Sequence, residues 1–307
     1  MQTVLKIKDL TKKYKTGYAL NGVNMTVNKG DIYGFVGENG SGKTTVIRIV
    51  SGIAFKTGGD FELFGANSSS KDIVSARSKV GAVVESPSIY TNMTAYQNLK
   101  MQSIISGVNS DDRIKEVLET VGLGYLYSDK KKAGNFSLGM RQRLGIAMAL
   151  LKEPEFIMLD EPMNGLDPAG IVEVRELIIK LNREKGITFL ISSHILSELS
   201  LVATKYGIIS KGKIIKEITS DELKQACRKT TTIAVDDYRL LEKVLTDFID
   251  LKDTKMTADG VKIYGDIDLN NILKIILDAG LKINGVVTSN FSIEDYYMSV
   301  VGGRYND

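Results

Sequence analysis

Apolar and polar positions alternate along much of this chain with a period of two, and between residues 91 and 151 that period gives way to a helical one. The runs VLKIKDL (residues 4–10) and NGVNMTVNKGDIYGFVG (21–37) read as strands, and the second ends in a glycine-rich turn followed by the helical KTTVIRIVSGI (43–53). SKVGAVVE (78–85), EFIMLDEP (155–162) and ITFLISS (187–193) are almost unbroken apolar runs, the pattern of strands covered on both faces. KYGIISKGKIIKEI (205–218) predicts a hairpin turning at Lys211 and Gly212. In the helical stretch, Thr94 with Gln97 forms a capping box, DDRIKEVLETVGL (111–123) has helical spacing, and a further helix starts at Ser137. An α/β core with a helical insert over about residues 88–152 follows from this alternation.

Beyond about residue 220 the texture changes. TTTIAVDD (230–237), YRLLEKVLTDFI (238–249), the two strands of LKDTKMTADGVKIYGD (251–266), DLNNILKIILDAG (268–280) and LKINGVVTS (281–289) predict the order β, α, β, β, α, β, with a last helix at SIEDYYMSVVGG (292–303). That order is the split βαβ, or ferredoxin-like, arrangement. It predicts two domains, 1–220 and 221–307, the second a small α+β module with no catalytic constellation and hence a packing, dimerisation or regulatory role.

Composition adjusts this picture in three respects. The 307 residues, 43% hydrophobic, suffice for a large domain and a small one. No apolar run has the length of a membrane helix, the first residues alternate charge with apolar groups unlike a signal peptide, and Cys227 is the single cysteine, so a cytoplasmic protein is expected. Residues 1–220 hold 29 Lys and Arg against 22 Asp and Glu, whereas residues 221–307 hold 11 against 15. The basic part suits an anionic ligand or an anionic membrane surface. Its cations are dispersed, the one dense cluster DKKKAG (129–134) reads as a solvated loop, and no nucleic-acid partner is expected.

Candidate chemistry is concentrated in four places. GENGSGKTT (37–45) fits a phosphate-binding loop between strand and helix: backbone N–H groups wrap a polyphosphate, Lys43 brings a point charge, and the Thr44 hydroxyl can ligate magnesium. FIMLDEP (156–162) ends a buried strand on Asp160 and Glu161, two carboxylates that need a cation or a reacting group beside them. Asp160 is the metal-side candidate, and Glu161 the group that orients or deprotonates an attacking water. His194, the only histidine, follows another strand of the same expected sheet, where open α/β sheets place ligands. At NFSLGM (135–140) a helix start could present the Ser137 hydroxyl and the Gly139 amide to an anion.

Taken in order, GENGSGKTT, FSLGM, FIMLDEP, NGLD (164–167) and His194 resemble the Walker A, signature, Walker B, D-loop and switch-histidine motifs of the nucleotide-binding subunits of ABC transporters. The resemblance spans residues 1–220. It implies a P-loop NTPase, or RecA-like, core with an N-terminal antiparallel β subdomain, and ATP with Mg2+ as ligands. Tyr14 would stack on adenine, and Gly37, Asn39, Gly40, Ser41, Gly42, Lys43, Thr44 and Thr45 would cradle the phosphates. Lys43, Glu85, Glu161 and His194 would act in hydrolysis, with Thr44, Glu85 and Asp160 on the metal side. It also implies a head-to-tail pair, identical chains being the expectation, in which each phosphate loop closes against the partner copy's Ser137 and Gly139, with Asp167 a further nucleotide-binding residue. A separate membrane permease would tether the pair to the cytoplasmic membrane face.

Two departures from the family pattern stand out. The signature here is Phe136, Ser137, Leu138, Gly139, Met140 where Leu-Ser-Gly-Gly-Gln is usual, and Glu85 in GAVVESPSIY (81–90) stands where the family usually has glutamine. With the C-terminal module, these features resemble the subgroup serving bacitracin and lantibiotic export and self-immunity. An exporter of lipid or another drug, a soluble ABC ATPase and a nucleotide sensor without turnover are the alternatives; Glu161 argues against the last.

Overall fold

In the computed structural model, residues 2–237, 240–241, 254–257, 260–265 and 267–302 are described. They form two compact units, 1–220 and 221–307.

In the first unit an antiparallel sheet comes first, built from β1 (Thr3–Tyr14), β2 (Gly17–Asn28), β4 (Gly58–Leu63) and β5 (Ala66–Asn67) in the order β2-β1-β4-β5. The alternating run read as one strand over residues 21–37 belongs in fact to two sheets. It breaks at Lys29 and Gly30, where Gly30 takes φ 85° and Asp31 bonds back to Asn28; the remainder is β3 (Ile32–Val36), all five residues buried. Period two marks a strand without naming its sheet.

β3 lies in the second sheet, of order β10-β9-β3-β8-β7-β6, with β6 (Val80–Val83), β7 (Phe156–Asp160), β8 (Thr188–Ser193), β9 (Lys205–Ser210) and β10 (Lys213–Thr219). β6, β7, β8, β3 and β9 run parallel, and only β10 is antiparallel. Every residue of β7 and β8 is buried, as expected of strands covered on both faces. The parallel direction decides the geometry of function: the segments leaving β3, β6, β7 and β8 all emerge at one edge of the sheet. Near its other end Tyr33 donates to Glu217 at 2.7 Å, and burial, then the Glu217 charge, holds the phenol well above its ordinary range.

The helices form where their caps predict. α1 (Lys43–Ser51) follows the glycine-rich turn, and α2 (Ile73–Ser78) precedes β6. In the insert, α3 (Ala95–Ile105) begins with the Thr94–Gln97 capping box, and α4 (Asp111–Thr120) with the Ser110 hydroxyl and two acids in its first turn. α5 (Leu138–Leu150) begins at Ser137. α6 (Pro168–Lys185) is capped by Asp167, opens on proline and stops at Gly186 with φ 65°. α7 (Leu196–Ser200) and α8 (Ser220–Ala226) are short.

The second unit has an antiparallel sheet of order β12-β13-β11-β14, from β11 (Thr230–Val235), β12 (Thr254–Thr257), β13 (Gly260–Tyr264) and β14 (Ile283–Ser289). α9 (Leu269–Asp278) buries Ile272 and Ile276 against Ile233, Val261 and Ile263, and α10 (Ile293–Val301) is the last helix. Apart from Leu240 and Leu241, the helix expected at 238–249 lies outside the described residues. Among the described residues no helix is long and apolar enough to cross a membrane.

Candidate functional site

The turn from β3 to α1 is shaped by close backbone approach. A Cβ on Gly37 would lie 2.3 Å from the Ile209 carbonyl oxygen, and one on Gly42, at φ 114°, 2.7 Å from the Ala19 carbonyl oxygen. Only glycine fits either place. Glu38, Asn39 and Gly40 are exposed, Ser41, Gly42 and Lys43 buried, Thr44 and Thr45 half-buried. The Lys43 ammonium turns into the bowl of the loop and donates to the carbonyls of Gly37 (2.6 Å) and Glu38 (3.2 Å).

Asp160 and Glu161 meet this loop from the end of β7. Asp160 is buried; its Oδ1 accepts from the Ser192 hydroxyl at 2.6 Å, and its Oδ2 has no hydrogen-bond partner. Glu161 takes φ 50°, a strained conformation for a residue with a side chain, and its N–H donates to the Ser192 hydroxyl at 2.9 Å and the Ser192 carbonyl at 3.2 Å. That turn directs the carboxylate between a histidine and a lysine: Oε2 lies 2.8 Å from His194 Nδ1 and Oε1 3.3 Å from the Lys43 ammonium. Four residues from three strand ends thus converge.

Two groups singled out in the sequence stand elsewhere in the first unit. Ser137 caps α5, accepting from the Met140 N–H at 3.2 Å, and lines a concavity with Gly139, Asp167 and Gly170 that no residue of the glycine-rich loop lines. Tyr14, 43% exposed, ends β1 with the Lys12 ammonium 4.9 Å from its ring centre. Glu85, for its part, meets α1. Its carboxylate, 62% exposed, pairs with Arg48 of α1 at 2.5 Å, and among the described residues no group of three or more His, Cys, Asp or Glu is arranged to hold a metal.

Residues 20–164 match the ABC transporter family. Over 307 residues, 99% of each chain, the protein is 42% identical to the bacitracin transport ATP-binding protein BcrA of Bacillus licheniformis. The chain belongs to the ATP-binding subunits of ABC transporters. It is 45% identical over 214 residues to the lantibiotic transport ATP-binding protein SrtF of Streptococcus pyogenes, covering 70% of this chain and 90% of that one. Among solved structures it is similar to the ADP conformation of the ATP-binding cassette MJ1267, at 27% identity and TM-score 0.65, over 73% of this chain and 94% of that one. A dimer of the cassette MJ0796 with ADP and phosphate aligns at 25% identity and TM-score 0.62, over 70% and 98%.

As an ABC ATP-binding subunit the chain is an ATP hydrolase, and its family binds ATP, typically with magnesium. The residues present fit both ligands. A Cβ at Gly37 or Gly42 would strike the Ile209 or Ala19 carbonyl and force the loop out of shape, and the buried oxygens Ser41 Oγ, on the loop, and Asp160 Oδ2, at the end of β7, have no hydrogen-bond partners. Hard oxygen donors of this kind suit magnesium.

Two participants escaped the sequence reading. Ser192 bonds both acids yet looks like one more small residue in ITFLISS, and a serine inside a buried strand, where every hydroxyl needs a partner, was the available signal. Arg48, in the middle of α1, carries no signal of its own, because Glu85 is 37 residues away.

Proposed function

We propose that this chain is the ATP-binding and hydrolysing subunit of an exporter that removes a peptide antibiotic of the bacitracin or lantibiotic kind through a separate membrane permease. The observation that carries this reading is the 42% identity to a bacitracin transport ATP-binding protein across 99% of both chains, the C-terminal part included. On this reading residues 1–220 are the ATPase, and residues 221–307 are an accessory split βαβ module.

Placement supports a role for each residue. The backbone of residues 37–45 and the Lys43 ammonium take the phosphates, and Tyr14 offers its free ring face to adenine. Thr44 and Asp160 would hold magnesium, which would supply positive charge beside the phosphates. Glu161 accepts a proton from the attacking water or orients it; the His194 Nδ1 contact at 2.8 Å fixes that carboxylate and leaves Nε2 for the γ-phosphate. Ser137, Gly139 and Asp167, which line a concavity apart from the loop, serve the site of a second copy in a head-to-tail dimer. Residues 86–98, with Tyr90 48% exposed and Asn98 bonded to the Tyr90 backbone, form the surface that receives the permease and bring the subunit to the cytoplasmic membrane face.

A paired experiment tests this reading. Glu161→Gln lowers steady-state ATPase about 100-fold or more while ATP binding persists, and in cells carrying the matching permease it abolishes protection against the peptide. Equal ATPase in both proteins would defeat the catalytic assignment. Protection against a lipid-like drug alone would defeat the substrate assignment.

A further inference from the structure

Glu85 leaves β6 in a left-handed conformation, φ 61°, at the mouth of a cavity of about 430 Å³ that Arg48, Glu85, Pro87, Gln102 and Gly145 help to line. Two contacts hold the segment there. On one side, Arg48 Nη2 meets Glu85 Oε1 at 2.5 Å. On the other, Pro87 packs onto α5 so closely that a Cβ on Gly145 would lie 2.6 Å from the Pro87 Cβ. α1 begins at the phosphate loop and α5 at Ser137, so this one short segment bridges the helix that takes the phosphates and the helix that carries the signature.

Helical spacing sharpens the point. Arg48 follows Thr44 by four residues on α1, so the two side chains share a face about 6 Å apart along the axis. The Glu85 carboxylate is thereby tied to the same face of α1 that carries the hydroxyl suited to magnesium. A glutamate in place of the usual glutamine brings a negative charge toward a triphosphate, and a cation on α1 neutralises it where it stands.

We propose that Arg48 is a positioning residue: it restrains the Glu85 carboxylate on α1, away from magnesium and the γ-phosphate, and makes the segment after β6 move with the phosphate-binding helix. The proposal rests on the reading of this chain as an ATPase in which Glu85 acts in hydrolysis. An exposed ion pair provides a modest restraint, and its effect belongs in the metal dependence of turnover more than in the fold.

The test is a cycle in the full-length protein: wild type, Arg48→Gln, Glu85→Gln and the double variant, with Arg48→Lys alongside. Steady-state ATPase is followed against free magnesium at saturating ATP, and ATP binding is measured separately. Arg48→Gln is expected to shift half-saturating magnesium by about two- to fivefold, the range of an exposed pair. The double variant returns to the Glu85→Gln value, and Arg48→Lys shifts less than Arg48→Gln. A silent Arg48→Gln, or a shift of equal size with glutamate or glutamine at position 85, overturns the proposal. Loss of ATP binding of equal size in Arg48→Gln and the double variant also overturns it, because Arg48 would then act through α1 alone. If Glu85→Gln is silent while Arg48→Gln shifts only when Glu85 is present, the restraint stands and the reading of Glu85 as a residue acting in hydrolysis fails.

Discussion

Ser192 shows how one hydroxyl can organise an active site without touching the reacting atoms. It donates to Asp160 and accepts from the Glu161 N–H, so it joins the expected metal ligand to the strained turn that aims the expected base. Without it, Asp160 keeps both oxygens buried and unpaired, and φ 50° at Glu161 loses one of the two bonds that maintain it. Ser192→Ala is accordingly expected to lower magnesium affinity or turnover about 10- to 100-fold, the usual effect of removing a partner behind a metal ligand. Magnesium-dependent ATPase measured beside thermal melting checks this; full activity would leave Ser192 a packing residue. Asp160 and Glu161 stood out as candidates because two acids ending an apolar strand require an explanation. Ser192 was not, because a serine in a strand has many uses and its partners are 31 and 32 residues away.

Among the elements, the hairpin of β9 and β10 supports the phosphate loop from below. Its turn places Lys211 at φ 48° and Gly212 at φ 75°, the two left-handed residues of a tight hairpin turn. The Gly212 N–H donates to the Ser41 carbonyl at 3.0 Å, and its own carbonyl accepts from the Asn21 N–H at 2.8 Å. The turn thereby ties the antiparallel sheet to the loop. Gly212→Ala would set a Cβ 2.8 Å from the Ala19 carbonyl oxygen as well as straining φ. It is expected to cost about 1–3 kcal/mol of stability and to weaken ATP binding; denaturant melts and a binding titration check both, and an unchanged midpoint would contradict the account. Sequence alone located this turn, because Lys-Gly between two apolar alternations has a short-range cause. The break after β2 was missed for the opposite reason: alternation continues through it, and only the pairing of β3 with β8 and β9 shows that the chain has changed sheets.

At the scale of the whole molecule, the two units have separate cores, one built around Leu5, Phe35, Val46 and Phe156, the other around Ile233, Val261 and Ile276. Separate cores predict separate unfolding. Calorimetry of the full chain, in a Glu161→Gln background to prevent turnover, is expected to give two transitions, and ATP with magnesium to raise only one, since a ligand stabilises the unit that binds it. A single transition, raised as a whole, would show one cooperative body. The sequence by itself determined the elements and the chemical inventory: glycines where no Cβ fits, a lysine and hydroxyls at a helix start, acids ending a buried strand, and the order of motifs that marks the family. These have local causes within a few residues. Only the tertiary structure decided who meets whom: His194 with Glu161, Ser192 with both acids, Glu85 with Arg48. The physical reason is that parallel strands distant in sequence end side by side, and which side chains then touch depends on strand order and on the left-handed turns at Glu85 and Glu161, neither of which a linear pattern encodes.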